Sequence, residues 1–123
     1  MFKADLLRRA AFRHARFYLD WLATANTLFR TGGDGVYTAV NRFNEHWLQI
    51  RQGRQWAVDH ADDPLALELL ASYPEKGADL LRLRQHKTDY ILWLEAGLAA
   101  ANTQDQTRTR MMLLHLLGAA YLT

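Results

Sequence analysis

The chain has 123 residues, half of them hydrophobic, and a formal net charge of +2 at pH 7. With 4 Trp, 5 Tyr and 5 Phe it can bury a core, which excludes an intrinsically disordered chain. The absence of cysteine excludes disulfides, a thiol nucleophile and cysteine-ligated zinc. No apolar run approaches the roughly 18 residues that a membrane span needs, so we expect a cytoplasmic protein. The scarcity of Pro and Gly favours an all-α fold.

The first predicted helix runs over about residues 4–30 and ends at the glycine-rich segment 31–35. One face is predicted to be buried because its residues recur at steps of three or four: Leu7, Ala11, His14, Tyr18, Trp21, Ala25 and Leu28. We expect His14 to be a buried, hydrogen-bonded histidine on this face. The opposite face is polar and carries Arg9, Arg13, Arg16 and Asp20.

The second predicted helix begins near residue 35, with Asp34 as its expected cap, and continues to about His60. Its apolar stripe consists of Val36, Val40, Phe43, Trp47, Ile50 and Ala57. Both Trp21 and Trp47 are therefore predicted to lie in the core. Gly53 interrupts this helix at a cost of about 1 kcal/mol relative to Ala, which indicates a close approach of another helix.

Asp62-Asp63-Pro64 predicts the start of a third helix, because a capping acid precedes Pro at the first helical position. Pro74 is expected to kink or briefly break this helix, which then continues to Arg84. A polar turn at 85–87 leads into a fourth helix at 87–101. The loop 102–106 precedes a fifth helix, from 107 to the end. Trp93 lies at the flank of the fourth helix, where it either packs on a next helix pair or forms an exposed interaction anchor.

A small residue followed three positions later by a bulky one occurs at Ala78 and Leu81, and again forty residues later at Gly118 and Tyr121. Such a repeat in a helical chain predicts an α-solenoid of about five helices in stacked antiparallel pairs. We divide the single domain 1–123 into a first helix pair (1–61), a kinked pair (62–103) and the first helix of a truncated next repeat (104–123).

The last helix resembles the first helix of a tetratricopeptide repeat, with Leu114, Leu117, Gly118 and Tyr121 at the signature positions. The segment 78–98 is a looser match, which has Tyr90 where a small residue is usual; its signature residues are Ala78, Leu81, Leu94 and Gly97. The segments RHARFY at 13–18 and WLQIRQGRQW at 47–56 further resemble the helical region of bacterial NB-ARC-type signal-transduction ATPases (STAND class). That resemblance implies an upstream ATPase. The chain itself lacks a phosphate-binding loop, so ATP hydrolysis is not expected of it.

No residue pattern predicts catalysis, a cofactor or a metal site. The five histidines form no pair with ligand spacing, and Glu68 and Glu75 are the best carboxylate pair only because they share a helix. We therefore predict a non-enzymatic helical-repeat module that binds a protein or peptide, either another protein or another domain of its parent chain, and acts as a sensor in a larger signalling ATPase or regulator.

The alternative is a basic adaptor that contacts nucleic acid through Arg9, Arg13 and Arg16, although the small net charge argues against it. Further candidate contacts with a protein partner are Trp93, Met111 and Leu114. The apolar stripe Met111, Leu114, Leu117 and Tyr121 has no following helix to cover it, which predicts self-association through the last helix. We expect that association to be a property of the fragment rather than of the parent protein.

Overall fold

The fold is all-α in a computed structural model that describes residues 2–122. Its six helices are α1 (Phe2–Thr31), α2 (Gly35–Asp59), α3 (Pro64–Lys76), α4 (Ala78–Arg84), α5 (Lys87–Thr103) and α6 (Thr107–Tyr121). Residues 2–122 form no β-strand. None of these helices combines the length and the apolar character required to cross a membrane. The predicted all-α class is confirmed, but the number of helices is six rather than about five.

The extra helix arises because the third predicted helix is divided at Gly77. Pro74 lies inside α3, which continues to Lys76 although Pro74 cannot donate a hydrogen bond to the carbonyl of Leu70. The break follows three residues later, where Gly77 lies against the side chain of Leu22 from α1. A β-carbon at residue 77 would collide with Leu22. The close approach of α1 therefore coincides with the division. The expectation was a kink or a brief break at Pro74, and the break lies three residues later, at Gly77.

Helix starts follow the predicted chemistry in one case and depart from it in another. Asp63 caps α3, since its Oδ1 accepts the backbone N–H of Leu65 at 2.9 Å and Pro64 is the first helical residue. Asp34 stands at the start of α2 but makes no capping hydrogen bond. Its backbone is already helical, with φ −63° and ψ −22°, whereas a capping side chain needs an extended backbone to reach the free N–H groups.

The core lies between helices that are close along the chain. α1 packs along α2, α3 along α5, and α6 packs on both α5 and α3. α3 also contacts α1 and α2, so it joins the first two helices to the last two, while the short α4 packs on α1. The largest fully buried side chains of the core are Tyr73, Phe43, Leu22, Ile50, Leu69, Leu80, Leu81, Leu94 and Leu113.

The buried face of α1 differs from the predicted one. Ala15, Leu19 and Leu22 are buried, whereas Leu7 is 63% exposed and His14 is also exposed. His14 packs its ring against Tyr18 at 4.8 Å instead of entering the core. The cause is tertiary: α1 contacts α2 on one side and α3 and α4 on another, so its buried stripe lies between those two contacts.

The burial of the tryptophans also differs from the prediction. Trp21 and Trp47 are only partly buried at the edge of the core, so their predicted positions inside it were wrong. Trp93 is 8% exposed and is therefore not an exposed anchor. Its indole stacks on Trp47 of α2 with ring centroids 5.8 Å apart and meets the edge of Tyr73 of α3 at 6.5 Å. Trp93 thus packs on preceding helices rather than on a following pair.

Candidate functional site

A groove of about 480 Å³ lies between α1, the junction of α3 and α4, and α6. Its volume is within the range of protein binding sites. These three elements are not consecutive in the chain, so only the packed fold forms the groove. It is lined by Ala23, Asn26, Thr27, Arg30, Glu75, Lys76, Ala78, Asp79, Met112, His115 and Leu116.

Asn26 holds the start of α4 against α1 beneath this groove. It is a buried polar residue, 5% exposed, and its Nδ2 donates to Asp79 Oδ2 at 3.1 Å. Its Oδ1 accepts the backbone N–H of Leu80 at 3.0 Å. Leu80 is the third residue of α4, whose N-cap Gly77 has no side chain. Asn26 therefore supplies the capping acceptor from another helix, which fixes the position of Asp79.

The sides of the groove carry charges of both signs. Glu75 and Asp79 are acidic, and the Nε of Arg30 lies 3.6 Å from Asp79 Oδ2 while its side chain is largely exposed. Lys76 and His115 add basic nitrogens from α3 and α6. Met112 and Leu116 contribute an apolar wall. The groove can therefore contact an apolar side chain while pairing with cations and anions on either side of it.

A second cavity, of about 240 Å³, continues along α6 and shares Leu116 with the groove. It is lined by Arg82, Gln85, Lys87, Tyr90, Leu116, Ala119 and Ala120. The Oε1 of Gln85 is buried and has no hydrogen-bond partner among the described residues. Such an acceptor is costly to leave unpaired. This end of the groove thus offers two cations, Arg82 and Lys87, beside the buried amide oxygen of Gln85.

Tyr90 forms the inner wall of this second cavity, at the position where the repeat pattern expects a small residue. Burial raises the pKa of Tyr90, an effect that Arg82 opposes and Asp79 reinforces. Its phenol is therefore protonated at neutral pH. The buried ring lines the cavity together with residues of α6 and of the 85–87 turn.

Two arginines and two tryptophans form a separate cluster between α2 and α5. The guanidinium carbon of Arg51 lies 5.4 Å from the ring centroid of Trp47, and that of Arg54 lies 4.8 Å from the ring of Trp93. Burial lowers the pKa of Arg54, whose cation is stabilised by the indole face. The stacked indoles connect α2 to α5. The cluster therefore braces the fold, which explains why Trp93 is not available to a partner.

The predicted arginine contacts lie away from the groove. Arg9, Arg13 and Arg16 are exposed on the N-terminal half of α1, which reaches the groove only from Ala23 onward. Arg16 is within 3.4 Å of Asp20 on its own helix. The structure therefore leaves this basic surface separate from the groove.

The repeat-signature residues fall into two groups. Ala78, Leu81, Leu94, Gly97 and Leu117 are buried between helices, as a packing signature requires. Gly118 and Tyr121 are exposed, together with the predicted contact residues Met111 and Leu114. The apolar stripe on α6 therefore points mainly to solvent, with only Leu117 directed into the core.

Sequence reasoning missed the residues that shape the groove, in particular Asn26, Gln85 and His115. Asn26 carried no usable signal, because Leu22, one helical turn away, lies outside the face of α1 that the sequence pattern predicts to be buried. Gln85 and His115 carried none, because their neighbours come from other helices. Within residues 2–122, no three His, Asp or Glu side chains are placed to hold a metal ion.

No protein-family model matches the chain, and comparisons with curated proteins and with solved structures give no significant match.

Proposed function

We propose that the chain is a non-enzymatic helical-repeat module that binds a segment of another protein, or another part of its own parent chain, in the groove between α1, α4 and α6. The observation that carries this proposal is the groove itself, about 480 Å³ in volume and held in shape by Asn26. A preformed recess with apolar and charged walls binds a chain segment without first having to reorganise.

We propose in addition that the helices stack as an α-solenoid. α1 with α2 would be one unit, α3–α4 with α5 the next, and α6 the start of a third. The contacts of α3 with α1 and α2, and of α6 with α3 and α5, support this order because each unit touches the one before it. The groove then lies along the first helices of successive units. By resemblance, the parent protein would be a signalling ATPase in which the module acts as a sensor.

The charges predict the chemistry of the bound segment. A basic residue of the ligand would lie near Glu75 and Asp79, and an acidic residue near Arg82 and Lys87 at the other end. An apolar side chain between them would pack on Leu116, which both cavities share.

A displayed library of random peptides, selected on the immobilised protein, tests the proposal. Thr27→Trp fills the groove from an exposed position, whereas Thr38→Trp makes the same change on α2, outside the groove. Selected peptides should bind the unchanged protein and lose at least about tenfold in affinity with Thr27→Trp, but not with Thr38→Trp. Circular dichroism of both variants checks the fold. Selection of no peptide, or equal binding to both variants, would contradict the proposal.

The alternative of nucleic-acid binding retains one supporting observation, the exposure of Arg9, Arg13 and Arg16 along α1. Fluorescence anisotropy with labelled duplex DNA and single-stranded RNA tests it. Binding through these residues must weaken steeply with added salt and must disappear when all three are changed to Ala. Peptide binding in the groove should depend on salt much less.

A further inference from the structure

α6 has a second exposed face beside the one that lines the groove. Met111, Leu114 and Tyr121 are 64%, 51% and 62% exposed and follow one another at helical spacing. Gly118 lies among them. The groove is lined instead by Met112, His115 and Leu116, which lie on the neighbouring face of the same helix. The two faces of α6 can therefore serve different partners.

Gly118 distinguishes this face from the packed helix surfaces elsewhere in the chain. At Gly53 the space for a β-carbon is taken by the hydroxyl of Tyr73, and at Gly97 by Pro74, whose Cγ is 2.9 Å away. Gly118 has nothing within 4 Å. A glycine costs helix stability where nothing uses the space it leaves. The open position at Gly118 is therefore a hole that a side chain from another helix can enter.

The exposed stripe is complementary to itself under a two-fold rotation. If a second α6 crosses antiparallel over the midpoint of the stripe, Leu114 of each copy lies over Gly118 of the other. The same rotation places Met111 over the ring of Tyr121, a favourable sulfur–aromatic contact. Each copy thus supplies both the knob and the hole, which is the condition for a closed two-fold interface.

Charges beside the stripe agree with this pairing. Glu95 of α5 accepts a hydrogen bond from the hydroxyl of Tyr121 at 3.0 Å, so its carboxylate lies at the C-terminal end of the stripe. Arg110 is partly exposed at the N-terminal end, and the helical period places it about 20° around α6 from Tyr121, whose hydroxyl bonds to α5. An antiparallel partner brings its Arg110 to the end that holds Glu95. A parallel pairing would instead place like charges together.

We propose that two copies of this chain associate through α6 in an antiparallel, two-fold arrangement, with Leu114 seated on Gly118 of the other copy and Arg110 paired with its Glu95. The partner is a second copy because the stripe supplies its own complement in both shape and charge. This proposal rests on different residues from peptide binding in the groove, which uses the neighbouring face of α6.

Analytical ultracentrifugation of the full chain over a wide concentration range tests the dimer. Leu114→Asp should shift the monomer–dimer equilibrium toward monomer by at least about a hundredfold, because it buries a charge against Gly118. Leu83→Asp is the matched control, since Leu83 is 55% exposed but lies on α4. It should leave the dimer unchanged. If both substitutions dissociated the dimer equally, the proposal would be overturned.

A charge exchange tests the orientation. Arg110→Glu and Glu95→Arg should each weaken the dimer by about tenfold, and the double variant should restore it toward the original affinity. Near-ultraviolet circular dichroism reports whether each monomer stays folded. A monomer at every concentration, growth into open chains of increasing mass, or additive losses in the double variant would each overturn the antiparallel dimer.

Discussion

Gly53 and Gly118 are both glycines inside helices, yet the space beside Gly53 is filled and the space beside Gly118 is open. At Gly53, α2 meets α1 and α3 so closely that the hydroxyl of Tyr73 occupies the β-carbon position and Cα of Ala15 lies 3.1 Å from it. At Gly118 the same position is open. The first glycine is explained by contacts within the chain, while none of the described residues uses the space at the second. A glycine inside a helix therefore does not by itself show that another helix approaches closely.

The junction around Gly53 is the more constrained of the two regions. Tyr73 crosses from α3 to donate its hydroxyl to the carbonyl of Ala15 in α1 at 2.6 Å, passing beneath Gly53 of α2. One side chain thus joins three helices. On the outer face of α6, Tyr121 donates an exposed hydrogen bond to Glu95, which joins two helices rather than three. Substitutions should consequently destabilise the first region and leave the second tolerant.

Gly53→Ala is expected to give the largest effect. The added methyl group would collide with the buried phenol of Tyr73 and displace its hydroxyl from Ala15. Overpacking and the lost hydrogen bond outweigh the gain in helix propensity, for a net loss of about 2 kcal/mol in the free energy of unfolding. Urea denaturation measures it. An unchanged midpoint would mean that the helices do not meet this closely.

Tyr73→Phe isolates the hydrogen bond without changing the packing of the ring. At neutral pH we expect a loss of about 1 kcal/mol, since the bond to the carbonyl of Ala15 is removed while the ring remains. Urea denaturation at pH 7 measures this difference. Equal stability of the two proteins at pH 7 would show that the hydroxyl contributes nothing to the junction.

The same pair of proteins should differ in alkaline solution. Burial first, and the charge of Asp20 second, raise the pKa of Tyr73 above its ordinary value. The folded state then keeps a proton that the unfolded chain releases above about pH 10. The stability due to this protonated group is complete below that pH and is lost as the pH rises further. The advantage over Tyr73→Phe should therefore shrink in alkaline solution, and a constant advantage would contradict the assigned burial.

Gly118→Ala should give the smallest effect, and in the opposite direction. At concentrations where the chain is monomeric, alanine fits the open space and favours the helix, so the free energy of unfolding should rise by about 0.5–1 kcal/mol. Thermal denaturation at low protein concentration measures the gain. Destabilisation instead would place Gly118 against a neighbouring helix and remove the contrast with Gly53.

Periodicity and end signals identified nearly every helix, because both depend on residues close along the chain. The start of α3 followed from Asp63 and Pro64, and the close approach at Gly53 from the cost of a glycine in a helix. The buried face of α1 did not follow, since which side is covered depends on where α3 and α4 lie. The exposure of His14 and the burial of Trp93 were missed for that reason.

The sequence alone therefore determined an all-α chain, its helix boundaries to within a few residues, and the apolar stripe on α6. These properties follow from local backbone preferences and from the helical period. Tertiary structure decided the break at Gly77, the cap that Asn26 provides to α4, and the groove that α6 completes. Each of these depends on residues about fifty positions or more apart, or on three helices at once. Their contact is a property of packing that no local pattern contains.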